Sequence, residues 1–282
     1  MAEMAVTEKE YMNLIAGEWV ASLGGETYED RNPADTEELI GRFQSSTRED
    51  IQQAVKAARE ALPLWAETPA PERGRILQKV AEVVEKQKEE LATVLTREEG
   101  KTLAESRGEV QRAADIFRFF ASLGYLNGET IHSGDRDLLL FTFREPLGVV
   151  AVITPWNFPI AIPAWKIAPG LISGNTVVFK PAQLTPLIGI RLMEALEQSG
   201  IPKGVVNMVS GSGSVIGDEL VASPDVDAIS FTGSYEVGSR IVQKAAETLK
   251  RTQLEMGGKN PLVVLEDADL DKAVDITARG AF

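Results

Sequence analysis

Glu255 stands in the run Leu254-Glu255-Met256-Gly257-Gly258-Lys259-Asn260-Pro261, where a carboxylate between Leu254 and Met256 meets a Gly-rich turn. A glutamate ending an apolar strand is expected to be partly desolvated. That raises its pKa and suits it to taking a proton near neutral pH. A simple cap for the following segment is the alternative; the paired glycines favour the base. The run Thr154-Pro155-Trp156-Asn157-Phe158-Pro159 offers a complementary group. An asparagine between two prolines has a fixed backbone, and its amide can aim an N–H at an oxygen that is acquiring negative charge. Read alone, the same hexapeptide is equally well an Asx turn. A base and an oxyanion donor are the equipment for covalent chemistry at a carbonyl, but the nucleophile is missing: the 282 residues contain no cysteine. The single histidine, His132, leaves no basis for a His-rich metal site or a Ser-His-Asp triad, so no metal is expected. His132 itself falls in the polar stretch 127–137 and is expected in a solvated loop.

Three further runs suit a nucleotide. In Lys180-Pro181-Ala182-Gln183 a cation stands where dinucleotide-binding folds usually place an acid for the ribose hydroxyls. A lysine can still donate to ribose oxygens, and it does not repel a 2′-phosphate. Gln183 is uncharged too, so NADP is admissible beside NAD. In isolation the tetrapeptide would be a surface lysine before a proline turn. Gly211-Ser212-Gly213-Ser214-Val215-Ile216-Gly217 resembles a phosphate-binding turn, although its last glycine spacing is unusual and a glycine pattern alone is weak evidence. In Phe231-Thr232-Gly233-Ser234-Tyr235-Glu236-Val237-Gly238 a strand passes into a helix, and Gly233 and Ser234 would present N–H groups and a hydroxyl to a pyrophosphate. Gly238 would let that helix approach the sheet closely.

The elements that must position these runs follow from hydrophobic periodicity. The N-terminal third reads as helical. Thr47-Arg48-Glu49-Asp50 resembles a capping box ahead of Ile51, Val55, Ala58 and Leu62 at helical spacing. Pro71 suits a first helical turn, and an apolar stripe from Ile76 to Leu95 predicts one helix ending near Gly100. A third helix is expected from about Lys101 to Leu123, stopped by Gly124, with Phe117, Phe119 and Phe120 in the core. The run Leu138 to Phe143 reads as one arm of a hairpin. From Leu147 onward short apolar strands at 148–153, 176–179, 205–209, 228–231 and 252–255 alternate with helices at 160–172, 186–199, 214–221 and 235–249. That alternation predicts an α/β fold: a doubly wound, parallel five-stranded Rossmann-like sheet with helices on both faces. Ligands in such sheets bind beyond the carboxyl ends of the strands, where every run above falls. The expected division is an N-terminal helical part over 1–124, a β-hairpin oligomerisation arm over 125–146, a nucleotide-binding core over 147–258 and the start of a catalytic domain over 259–282.

Composition narrows the function. Hydrophobic residues make up 44% of the chain, enough for a core, and a formal charge of −13 argues against nucleic-acid or anionic-membrane partners. No apolar run is long enough to span a membrane and the acidic N-terminus is not a secretory signal, so a cytoplasmic location is expected.

In this order and at these strand ends, Trp156-Asn157-Phe158-Pro159, Phe179-Lys180-Pro181-Ala182, Phe231-Thr232-Gly233-Ser234 and Leu254-Glu255-Met256-Gly257-Gly258-Lys259 jointly resemble the aldehyde dehydrogenase superfamily, from about Leu14 to Phe282. The resemblance implies oxidation of an aldehyde to an acid with NAD or NADP, by a homo-oligomer. It implies Asn157 as the oxyanion donor and Glu255 as the base, with Thr154, Trp156, Lys180, Gln183, Gly213, Gly233, Ser234 and Val237 about the cofactor. A thiolate would add to the aldehyde, hydride would leave for the nicotinamide, and Glu255 would activate the water that hydrolyses the thioester. The family's nucleophilic cysteine is expected a few tens of residues after Glu255, past Phe282, so the chain reads as cut short and inactive alone. The run from Pro159 to Pro169 is similar to the branch acting on α-ketoglutarate semialdehyde (2,5-dioxovalerate). The competing function is a stand-alone nucleotide-binding or interaction module without chemistry.

Overall fold

The computed structural model describes residues 9–125, 130–132, 139–142 and 144–281. The first described elements are strands, not helices: β1 (Glu10–Tyr11), β2 (Asn13–Ile15), β3 (Glu18–Val20), β4 (Thr27–Arg31) and β5 (Leu39–Gln44). The helical part of the N-terminal third follows as α1 (Arg48–Glu67), α2 (Ala70–Lys86), α3 (Lys88–Glu99) and α4 (Leu103–Ser122). A hairpin of β6 (Thr130–His132) and β7 (Leu139–Phe141) comes next. The alternating part is β8 (Val149–Ile153), α5 (Ala161–Ile172), β9 (Thr176–Lys180), α6 (Pro186–Gln198), β10 (Val206–Met208), α7 (Asp218–Ala222), β11 (Ala228–Gly233), α8 (Tyr235–Ala246) and β12 (Arg251–Met256), with α9 (Leu270–Ala281) at the end.

The five expected parallel strands are present, and among the described residues they belong to a seven-stranded sheet of order β12-β11-β8-β9-β10-β2-β3. The two extra strands are the N-terminal hairpin, which joins β10 antiparallel through β2. Asn13 sets that junction: its amide donates to Ser46 Oγ at 2.8 Å and its carbonyl accepts the Ser210 N–H at 3.0 Å. β2 and β3 escape sequence reading because each is only three residues long, and β4 because it carries Glu, Asp and Arg, so no apolar run marks them.

Alternation within the central strands divides the core into two layers. Val150, Val152, Val177 and Phe179 face the layer built with α2, α4, α5 and α6. Val149, Ala151 and Val178 face the layer built with α1, α7 and α8. Helices thus cover both faces, as a parallel sheet requires. The Asp50 carboxylate accepts the Thr47 N–H at 2.8 Å, so the expected capping box starts α1. The stripe from Ile76 to Leu95 is two helices instead of one, broken where Gln87 (φ −94, ψ 12) leaves helical geometry. Gly100, at φ +93, ends α3 in the left-handed cap that glycine favours. Phe117 is in the core and Phe120 packs against it, but Phe119 is exposed, contrary to expectation. His132 lies in β6, paired with Leu139, and not in a loop; strand pairing has overridden the polar composition around it.

Candidate active site

The carboxyl rim of the sheet gathers the candidate residues. Leu254 pairs with Phe231, Phe231 with Ile153, and Ile153 with Lys180, so the four strand ends share one row. Thr154, Lys180, Gly233 and Glu255 stand in that row or one or two residues beyond it. Neighbouring strands lie about 4.8 Å apart, so Glu255 on β12 is about 10 Å across the sheet from the β8 end that leads to Asn157.

Lys180 closes β9 and is buried among apolar groups. Its Nζ donates to the Pro181 carbonyl at 3.0 Å, its one hydrogen-bond partner among the described residues, and burial pulls its pKa down to about 8. It lines a cleft of about 210 Å³ together with Gly213 and Val237. The turn holding Gly213 is one π-helical turn, Gly213–Gly217, running directly into α7. A Cβ placed on Gly213 would meet nothing, so this wall is open. Ser234 caps α8, its hydroxyl accepting the Val237 N–H at 3.3 Å. A Cβ on Gly238 would come within 2.5 Å of Met256 Sδ, so the glycine lets α8 close on β12 as anticipated. A buried cation with two unspent N–H groups, a helix N-terminus and the apolar walls Ile153, Val237 and Ile241 form a donor set that suits an anionic nucleotide with a flat apolar ring.

Other candidates lie outside the cleft. Trp156 and Asn157 are exposed on the loop after β8, and no side-chain hydrogen bond ties the Asn157 amide to the described residues. Gln183 is exposed in the turn before α6. Glu255 is exposed as well, so the expected desolvation of its carboxylate is not observed: β12 is an edge strand whose residues are mostly exposed.

Sequence reading missed the group that reaches Glu255. Lys166, the one charged residue in α5, is buried beneath β11 and β12. Its Nζ donates to Ser230 Oγ and to Gln253 Oε1, each at 3.0 Å, and Gln253 Nε2 donates to Glu255 Oε1 at 3.1 Å. An ammonium has no acceptor, so the Gln253 oxygen must face Lys166 and its NH₂ must face the carboxylate. Burial pulls the Lys166 pKa down to about 8, against the attraction of Glu255. The available signal was a lone lysine in the apolar run Pro163-Ala164-Trp165-Lys166-Ile167. Asp218, Arg240 and Ile241 also line the cleft and were missed; Val237 and Ile241, four apart on α8, were the clue to which face of that helix turns inward.

The sequence matches the aldehyde dehydrogenase family over residues 19–282. It is 48% identical over 279 residues to the α-ketoglutaric semialdehyde dehydrogenase of Bacillus subtilis, covering 98% of this chain and 57% of that protein. It is 45% identical to the 2,5-dioxopentanoate dehydrogenase of Saccharolobus solfataricus, covering 97% of this chain and 58% of that one. The fold superposes on the Staphylococcus aureus betaine aldehyde dehydrogenase crystallised with NAD+, with a TM-score of 0.93 and 38% identity over 96% of this chain and 55% of that chain. The chain therefore spans little more than half the length of these relatives. It belongs to the aldehyde dehydrogenase family.

Proposed function

We propose that this chain is the nucleotide-binding portion of an NAD(P)-dependent aldehyde dehydrogenase that oxidises α-ketoglutarate semialdehyde. The observation that carries the reading is the convergence of Lys180, Gly233, Glu255 and the Asn157 loop on one rim, beside a cleft walled by Gly213 and Val237. The substrate follows from the relatives named for that aldehyde, at 45% and 48% identity.

When bound, the dinucleotide would supply the hydride acceptor. Lys180 and Gln183 would donate to ribose hydroxyls. The ammonium tolerates a 2′-phosphate, so NAD and NADP both suit the site. The first amides of α8, with Gly233 and Ser234, would face the pyrophosphate, while Thr154 and Trp156 would wall the nicotinamide end. The Asn157 amide would donate to the aldehyde oxygen as negative charge grows there, which is worth most where water is excluded. Glu255 would take a proton from the attacking water. The thiol such chemistry needs is not among these 282 residues, and the reading assigns it to a part of the protein outside them. The β6–β7 hairpin would serve as an oligomerisation arm, in a cytoplasmic homo-oligomer.

Titration calorimetry with NAD+ and NADP+, run beside a dehydrogenase assay, tests the proposal. Saturable binding of at least one nucleotide is expected, weakened by Lys180→Glu, with no turnover by the 282-residue chain. Turnover of α-ketoglutarate semialdehyde should appear when the coding sequence is extended to the relatives' length. Absence of binding to either nucleotide would overturn the reading.

A further inference from the structure

We infer that Lys101 and Glu109 form an ion pair whose task is to position the loop carrying Asn157. The inference rests on the proposed nucleotide and oxyanion site. Glu109 projects from α4 and is almost wholly buried. One carboxylate oxygen accepts the N–H groups of Ile160 at 3.0 Å and Ala161 at 3.1 Å. The other accepts Lys101 Nζ at 2.6 Å. Lys101 in turn donates to the Asn157 carbonyl at 2.9 Å and lies 4.3 Å from the Phe158 ring centroid. Glu99 stands 3.5 Å from the same ammonium, its own carboxyl raised chiefly by burial.

The first amides of a helix have no partner within the helix and usually turn to a side chain at the cap. Ile160, at the cap of α5, has nothing to offer. The carboxylate arrives instead from α4, about fifty residues earlier in the chain. Pro155 and Pro159 each remove a backbone donor, so the segment between β8 and α5 has few hydrogen bonds of its own. The pair therefore grips this segment at both ends: Asn157 and Phe158 through Lys101, Ile160 and Ala161 through Glu109. A buried carboxylate alone would be strongly unfavourable. Lys101 compensates it, and the two work as a unit. Neither side chain was singled out by sequence: Glu109 sits in an ordinary-looking helical stretch, and Lys101 in the short turn between Gly100 and the Thr102 cap of α4.

Glu109→Gln and Lys101→Met should let the loop open. Hydrogen exchange at the Ile160 and Ala161 amides should quicken at least about tenfold while β8 and α4 exchange as before. The dissociation constant for NAD+ should rise about tenfold and that for 5′-AMP, which lacks the nicotinamide end, should stay within about twofold. Lys101→Arg keeps the charge and the donors and should recover most of the NAD+ affinity; a purely packing role would not distinguish Arg from Met in this way. Unchanged exchange at the Ile160 and Ala161 amides, or NAD+ and AMP affinities that move in step, would overturn the inference. If the unaltered chain binds neither nucleotide, the proposed function fails, and the exchange data alone still decide whether the pair holds the loop.

Discussion

β9 and β12 run parallel in one sheet and each carries a charged residue at or next to its carboxyl end, on the same rim, yet they are held in different ways. Every residue of β9 is buried, and Lys180 is placed by packing on both faces. β12 is an edge strand with one half-buried residue, Leu254, and Glu255 is placed by pairing to β11 and by the polar thread from Lys166 through Gln253. A position set by packing tolerates little change and moves little. A position set by one ladder and four side-chain hydrogen bonds can be retuned at small energetic cost. The nucleotide side of the rim is built in the first way and the candidate base in the second.

The largest expected effect tests the packed side. Phe179 is fully buried in β9, one residue before Lys180. Phe179→Ala should destabilise the chain by about 3–5 kcal/mol in urea unfolding, through lost burial and a cavity the sheet cannot collapse. Leu254→Ala on β12 should lose less than about 1.5 kcal/mol. Equal losses at the two sites would break the contrast between the strands.

The second prediction uses charge. Lys180 and Lys166 are both pulled down to about 8 from the ordinary 10.5, by burial in each case and against the pull of Glu255 for Lys166. Below about 8 both lysines are protonated in the folded and the unfolded chain, and the folded state bears the full penalty of a buried cation. Between about 8 and 10.5 the unfolded chain holds protons that the folded chain has released, so these two groups make stability rise with pH across that window. Lys180→Met removes one penalty. It should stabilise the chain by about 1–2 kcal/mol near pH 7 and flatten the rise toward pH 10 relative to the unaltered chain. Parallel pH profiles for the two proteins would show that Lys180 is solvated and not placed by packing. A gain in stability at the expense of nucleotide affinity would mark it as a site residue.

What sequence disclosed follows the same division. The central parallel strands announced themselves because strands buried on both faces are apolar along most of their length, as in Val149–Ile153 and in the stretch 177–179 of β9. Their carboxyl ends then located Thr154, Lys180, Gly233 and Glu255 without any knowledge of contacts. The N-terminal strands stayed hidden because their stability comes from partners far along the chain, such as Asn13 with Ser210. Lys166 and Gln253 stayed hidden for a related reason. Their meeting depends on the register that sets Ser230 against Gln253, and register is a property of the assembled sheet. The exposure of Glu255 was missed although β12 carries a sign of it: four of its six residues, Arg251, Thr252, Gln253 and Glu255, are polar, as suits a strand at the sheet edge.

The smallest expected effect on stability belongs beyond β12. Val263, Leu265, Leu270, Val274 and Ile276 are all at least 63% exposed, an unusual amount of large apolar surface for so short a stretch. Side chains this exposed contribute little to the fold that carries them. Ile276→Asp should therefore change unfolding free energy by less than about 0.5 kcal/mol. The same substitution should lower the tendency of the chain to associate, because apolar surface in water is relieved by contact with other apolar surface. Light scattering across a concentration series would show it as a fall in apparent mass against the unaltered chain. An apparent mass that already corresponds to one chain, and that Ile276→Asp leaves unchanged, would mean that exposed apolar area past β12 does not drive association. The polar thread to Glu255 would then be working on an edge that water alone can cover.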